Sequence, residues 1–310
     1  MTQQDRWCVL LYVSLAVATG FADLRMRAYP THVVQSYIPG IIAGTEEAPG
    51  LYRVLAPYTI VGLAKATGTS LQTTWLATRL GWFVIAYLSI HLYLRTWFDA
   101  PVALTGVALT AATLPLLFTN SWAHPDHIPE LALFALGAWA IATNRDVAFA
   151  VLLALASFNR ETAAFLVLLY ALAAPVTKAR LIRIAAFAAE WFAIYAGLRY
   201  ARGFQGYEYW QLSRNVGFLK LLPANYDPYY RSYAYFGLFA FGPMIYLAAR
   251  ARAPLFARRA LLVVPVFIAV GFLFSSIIES RIFTPLYALT LPGLLFCFHP
   301  PIGRSGELPC

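Results

Sequence analysis

Long apolar runs recur from one end of this chain to the other, and they constrain its fold more than any single motif does. Examples are "WCVLLYVSLAVATGFA" near the start, then "PVALTGVALTAATLPLLF" and "LALFALGAWAIAT" around residues 101–143. Such runs approach the length, about 17–25 residues, that crosses a bilayer core as helix. Charged residues make up only 12% of the 310, and mean hydropathy is +0.64, whereas soluble domains are about a quarter charged. The alternating ten-residue strands of a membrane barrel are absent. The chain therefore reads as all-α, a polytopic integral membrane helical bundle forming one transmembrane domain over 1–310.

The sequence predicts about ten transmembrane helices, at 7–23, 71–94, 101–118, 129–143, 147–158, 160–174, 181–200, 232–249, 260–278 and 282–298. The first run lacks a small-residue cleavage site and many spans follow it, so it reads as span 1 rather than a removed leader. Two short loops, "PVTKARLIR" (175–183) and "RARAPLFARR" (250–259), are strongly basic. Short basic loops stay in the cytoplasm. Both lie there, with both termini, only if 147–174 crosses twice, reversing near "FNRE" (158–161). The excess of Arg over Lys and the abundance of Ala point to a GC-rich bacterial genome, hence to a bacterial cytoplasmic membrane.

On this topology the outer face holds 24–70, 119–128, 159–161, 201–231 and 279–281. Counting span ends, it carries nine of the fourteen acids, so the carboxylates make the asymmetry. The first outer loop, 24–70, contains "THVVQSYIPGIIAG" and "LYRVLAPYTIVGLAKATG". These are helix-like but broken by Pro and Gly, which predicts interfacial helices lying along the membrane. The outer loop 201–231 is aromatic-rich. Its Tyr and Trp suit the bilayer interface, and they also suit stacking on sugar rings.

"AHPDHIPE" (123–130) concentrates titratable chemistry between two apolar runs. His127 and Glu130 are three apart, Asp126 and Glu130 four apart, so a helix starting here brings them together. Asp126 is a candidate cap. His124, Asp126, His127 and Glu130 are candidate ligands for a divalent cation, Mg or Mn, although the spacing matches no zinc signature. In "SFNRETA", Asn159 is a candidate cap for the next span. Arg160 and Glu161 are either a pair closing a tight reversal or a phosphate-binding fork. Arg53 in "YRVLAP", with Glu279 and Arg281 in "IIESRIFTPL", sits where a lipid phosphate would lie or where a generic interfacial anchor would. Asp23, Glu46 and Glu47 are candidate general bases near span 1. Arg79 and Glu190 fall within spans, where ionisable groups find partners, and a pairing with each other is one option.

The net charge of +9 is scattered over loops, which fits membrane lipid or phosphate rather than nucleic acid. No P-loop, GxGxxG with a ribose-binding acid, GxSxG or HExxH occurs. Cys8, Cys297 and Cys310 form no metal-binding or disulfide pattern.

The order of elements resembles the GT-C superfamily of polytopic glycosyltransferases, which use polyprenyl-phosphate-linked sugars. The shared features are an N-terminal span, a long first outer loop with surface helices, a second outer loop with acids, and outer Arg and Glu. The strings "YRVLAP", "FNRET" and "ESRIFTPL" are similar to those of bacterial membrane proteins grouped near that superfamily. The resemblance implies a polyprenyl-phosphate sugar donor, a cell-envelope acceptor and transfer at the outer surface. It implies a base or metal-facing acid in the first loop, here Asp23 with Glu46 or Glu47 as substitutes. It implies an acidic pair further on, here Asp126 with Glu130, and phosphate-binding arginines among Arg53, Arg160 and Arg281. Among its departures from the family pattern, Gln35 occupies the helix where the family's first acid is expected. A lipid or solute transporter, a scaffold and a membrane metalloenzyme are the competing readings.

Overall fold

Backbone polar groups in an apolar surrounding must be satisfied within their own segment, and a helix does this for every residue. Helix is accordingly the only regular structure among the described residues of this computed structural model, which are 3–26, 30–117, 124–206, 210–221, 242–276 and 280–299. In chain order, α1 is Gln3–Met26 and α2 is Pro30–His32; a π-helical turn, Val33–Tyr37, joins α2 to α3, Ile38–Ala43. Then come α4, Leu55–Thr67, α5, Leu71–Leu94, α6, Ala100–Leu117, and α7, His127–Ala142. α8, Asp146–Asn159, is separated by the turn Glu161–Ala163 from α9, Ala164–Leu172. α10 is Lys178–Arg202, α11 Leu212–Leu221 and α12 residues 242–250. α13, Leu255–Ala260, α14, Val263–Phe274, and α15, Leu286–Phe296, complete the order.

Local chemistry sets several of these boundaries. Gly68 ends α4 at φ +67, a left-handed conformation that glycine adopts without a Cβ penalty. Two residues later the Ser70 hydroxyl accepts a hydrogen bond from Thr73 N at 3.1 Å and starts α5. Thr177 does the same for α10, accepting from Arg180 N at 3.2 Å. Arg160 lies in extended backbone at φ −158 and ψ 150, which stops α8 and reverses the chain. The stretch 147–174 is therefore two helices, not one.

α5 is the central element, packed against α1, α4, α6 and α7, while α7 in turn lies on α8 and α10 covers α8 and α9. Tyr12, Phe83, Tyr87, Leu131, Phe134, Phe149, Leu166 and Tyr287 fill the core. Close approaches depend on small residues. A Cβ on Gly293 of α15 would lie 2.6 Å from Ala248 Cβ of α12, and nearby Cys297 Sγ donates to Leu247 O at 2.9 Å.

Among the described residues, five stretches are long and apolar enough to cross a membrane: Trp7–Arg25, Leu71–Leu94, Ala100–Leu117, Lys178–Arg202 and Leu255–Phe274. The other predicted spans among the described residues are shorter. The 16 residues of α7, 14 of α8 and 11 of α15 reach about 24, 21 and 17 Å as helix, against a core about 30 Å thick. Most of the predicted span at 232–249 lies outside the described residues. In the first loop the chain folds into α2, the π turn, α3 and α4, short helices rather than a span.

The two ends of the bundle differ in chemistry. At one end the tail of α7, the start of α8, the tail of α9 and the start of α10 meet. There Asp146 Oδ2 binds Arg183 Nη1 at 2.6 Å, Tyr170 Oη donates to Asp146 Oδ1, and Arg145 stacks 4.8 Å from the Trp139 ring centre. The other end gathers buried carboxylates and arginines.

Candidate functional site

The second end is assembled from segments far apart in the sequence. Val54 N donates to Phe158 O at 3.0 Å, which brings Arg53 beside the α8–α9 reversal. Asn159 Nδ2 donates to Asp126 O at 2.8 Å, which fixes the turn before α7 to the same reversal. Asn159 thus ties two segments together instead of capping a helix, and Arg160 holds the cap position of the following turn. Asp126 occupies the N-cap of α7 but its side chain makes no capping hydrogen bond. The expected caps are corrected for one reason: both polar groups are drawn into tertiary contacts.

Those contacts form an alternating chain of charges. Arg160 Nη1 donates to Glu130 Oε2 at 2.7 Å, and its Nε lies 3.4 Å from Asp126 Oδ2. Arg53 Nη1 reaches the same Asp126 oxygen at 3.3 Å, while its Nη2 binds Glu161 Oε1 at 2.8 Å. The order is Glu130, Arg160, Asp126, Arg53, Glu161. Thr162 Oγ1 also donates to Glu130 Oε1, and Trp191 Nε1 to Glu161 O. Asp126, Glu130, Arg53 and Arg160 are all buried. Ion pairs so withdrawn from water hold together only when each charge finds close partners.

Beside this chain lies a second pair. Arg79 Nε donates to Asp23 Oδ2 at 2.7 Å with Nη2 2.5 Å from the same oxygen, and Nη1 reaches His124 O at 3.4 Å. Arg79 therefore pairs with Asp23 at this end of the bundle, not with Glu190. Glu190 is half-buried on α10 and makes no ion pair among the described residues. A cleft lined by Ile60, Trp75, Arg79, Trp82, Pro125 and Pro129 adjoins the pair.

Electrostatics follow from this arrangement. At Glu161 burial pushes the carboxyl upward, but the Arg53 and Arg160 guanidiniums outweigh it and lower it to about 2. Tyr37, which stands edge-on to the His124 ring at 4.1 Å between centres, is buried. Burial, reinforced by the Asp126 charge, raises its phenol well above the ordinary range, against the opposing charges of Arg53 and Arg281. Arg281 is thereby brought to the same end, and it too is buried. Glu46 is half-buried near Tyr37, its carboxyl raised mainly by burial, whereas Glu47 is exposed. Glu279 lies outside the described residues.

Arg160 Nη1 approaches His127 Nδ1 at 2.9 Å. A guanidinium only donates, so Nδ1 is the acceptor and the His127 proton sits on Nε2. With Asp126 and Glu130 turned onto arginines, the set His124, Asp126, His127 and Glu130 does not fit a cation. Among the described residues no three His, Cys, Asp or Glu side chains are grouped to hold one.

Several buried polar atoms of the cluster have no hydrogen-bond partner among the described residues: Tyr37 Oη, Asp126 Oδ1 and Asn159 Oδ1. Buried polar atoms are satisfied in the large majority of cases, and these three belong to Asp126 itself and to two residues that act on it, Tyr37 by charge and Asn159 by hydrogen bond. Sequence reasoning missed Tyr37 and Thr162. Tyr37 lies two positions beyond Gln35 in an apolar run, and nothing in the pattern separates it from a core aromatic. Compared with protein-family models, curated proteins and solved structures, the chain matches none.

Proposed function

We propose that the chain is a GT-C-type glycosyltransferase that moves a sugar from a polyprenyl-phosphate donor to an acceptor hydroxyl at the outer face of a bacterial cytoplasmic membrane. The observation that carries this reading is the buried alternation of Glu130, Arg160, Asp126, Arg53 and Glu161, joined by Asp23–Arg79, at one end of an apolar helical bundle. Transfer from a lipid phosphate needs a carboxylate to take a proton and cations to neutralise a departing phosphate, both at headgroup depth. Both kinds of group occur together at that end of the bundle. A transporter route would instead string charges across the middle of the bilayer, and Arg79 is already satisfied by Asp23.

In this reading the shorter helices complete ten passes, with both termini cytoplasmic. Asp126 is the base, since its Oδ1 is a buried carboxylate oxygen with no hydrogen bond among the described residues. Asp126 takes the acceptor hydroxyl proton as the acceptor oxygen attacks the anomeric carbon. The bond from that carbon to the phosphate oxygen breaks, its electron pair leaves on the phosphate, and the configuration inverts. Arg53 and Arg281 neutralise the leaving group. Glu130 and Glu161 hold Arg160 and Arg53 in place, and no step runs through a metal.

The test uses the full chain in nanodiscs with radiolabelled polyprenyl-phosphate sugars. Asp126→Asn is expected to lower transfer by about 10²–10⁴-fold while leaving the unfolding temperature and donor binding near those of the wild type. Transfer by the wild type that Asp126→Asn leaves unchanged removes the assignment.

A further inference from the structure

Arg199 is a buried cation that forms no ion pair with a carboxylate among the described residues. Arg199, in the last turn of α10, is 8% exposed. Its guanidinium carbon sits 3.4 Å from the centre of the Tyr195 ring and 4.3 Å from that of Tyr52. Nη1 donates to Tyr195 O at 3.2 Å, and Nε has no hydrogen-bond partner among the described residues. No carboxylate pairs with it among those residues. Arg202, one turn on, donates to Ile41 O and to the Tyr58 hydroxyl, and no carboxylate pairs with it among the described residues.

We propose that Arg199, backed by Arg202, binds the phosphate group of an anionic lipid at the end of α10. The bland account is that both arginines only offset the carbonyl end of the helix. That end carries about half an elementary charge, against two full positive charges, so an excess of more than one remains. With two ring centres within 4.3 Å of its carbon and Nε without a partner among the described residues, the guanidinium has donor capacity left, and its planar edge matches a phosphate. The surroundings suit a lipid. Tyr200 is 94% exposed and Phe204 74% exposed, with Trp210 also exposed, the kind of aromatic belt that settles at a bilayer interface.

The position relates to the buried cluster in a defined way. Trp191, Tyr195 and Arg199 stand four apart on one face of α10, the two rings 5.1 Å apart. Trp191 touches Glu161 through its indole N–H, and Tyr52 precedes Arg53 in the chain. Eight residues of helix put Arg199 about 12 Å along the axis from the level of Trp191. A lipid phosphate there sits above the acid–arginine cluster, not in it. The inference does not depend on sugar transfer.

The experiment is native mass spectrometry of the detergent-solubilised full chain with three probes: phosphatidylglycerol, polyprenyl phosphate and diacylglycerol. One phosphatidylglycerol or polyprenyl phosphate is expected per chain, with diacylglycerol not retained. The tighter of the two anionic probes identifies whether the source is a bulk headgroup or a lipid-linked phosphate. Arg199→Gln should weaken retention about tenfold or more, and Arg199→Lys should also weaken it, because an ammonium lacks the flat face. Arg183→Gln, at the opposite end, should leave it unchanged. If Arg199→Gln unfolds the protein, the folded Arg199→Lys protein is decisive. Equal retention by the wild type and the folded variants overturns the site, as does retention of diacylglycerol equal to the anionic lipids. Neither result bears on Asp126, whose readout is transfer.

Discussion

Glu161 shows how a single residue links burial to acid sensitivity. Its carboxyl, held at about 2 by Arg53 and Arg160, ordinarily titrates near 4.5. The folded state therefore gains from Glu161 fully above pH 4.5, and that gain is lost as pH falls from 4.5 toward 2. Glu161→Gln should lower the unfolding temperature at pH 7 but flatten its decline through this window relative to the wild type. Parallel declines in thermal unfolding scans of the two proteins in detergent would contradict the pairing. At this scale the sequence announces the participants but not their partners. Charges in so apolar a chain are costly, so "HPDHIPE", "FNRE" and "YRVLAP" stand out by eye. Which arginine meets which acid depends on contacts across 30 to 108 positions, and local spacing says nothing about that. Arg79 paired with Asp23 rather than Glu190, and Arg199 hidden in "GLRYAR", were lost for the same reason.

Helix boundaries were the most legible level, because apolar length and punctuation by Gly, Ser and Thr are local properties. The prediction at 71–94 coincides with α5, and the reversal near 158–161 falls where Arg160 goes extended. Packing between elements was less legible, since it turns on single small residues. Gly293 admits α12 against α15, with Ala248 occupying the space of its missing side chain. Gly293→Leu has no flexible neighbour to displace, because the obstructing atoms are Ala248 Cβ and its backbone. Overpacking of this kind costs about 1–3 kcal/mol. The expected outcome is a lower unfolding temperature, with Gly62→Leu, where a Cβ meets nothing within 4 Å, serving as the comparison. Equal stability of both variants would exclude the tight crossing.

For the whole molecule, the separation of two chemically different ends is the property on which the functional reading rests. Thr45 lies in the loop after α3, at the acid–arginine end, and Val176 lies in the basic loop before α10; both are exposed. In a background with Cys8, Cys297 and Cys310 replaced by Ser, Thr45→Cys and Val176→Cys should react with a membrane-impermeant maleimide from opposite sides of oriented vesicles. Labelling of both from one side would remove the proposed sidedness.

α8 and α9, which meet at Arg160 beside the buried cluster, have 14 and 9 residues and are too short to cross an ordinary bilayer unaided. On the proposed topology, lipids along the exposed face of α8, which carries Val147, Val151 and Leu155, would compress or let water dip inward, a hydrophobic mismatch. On the proposed transfer, a long-tailed donor arriving along that face would meet a dimple in which its polar head sits lower than its neighbours' heads. On that proposal, the brevity of these two helices would lower the depth to which a charged group must descend before it reaches Asp126.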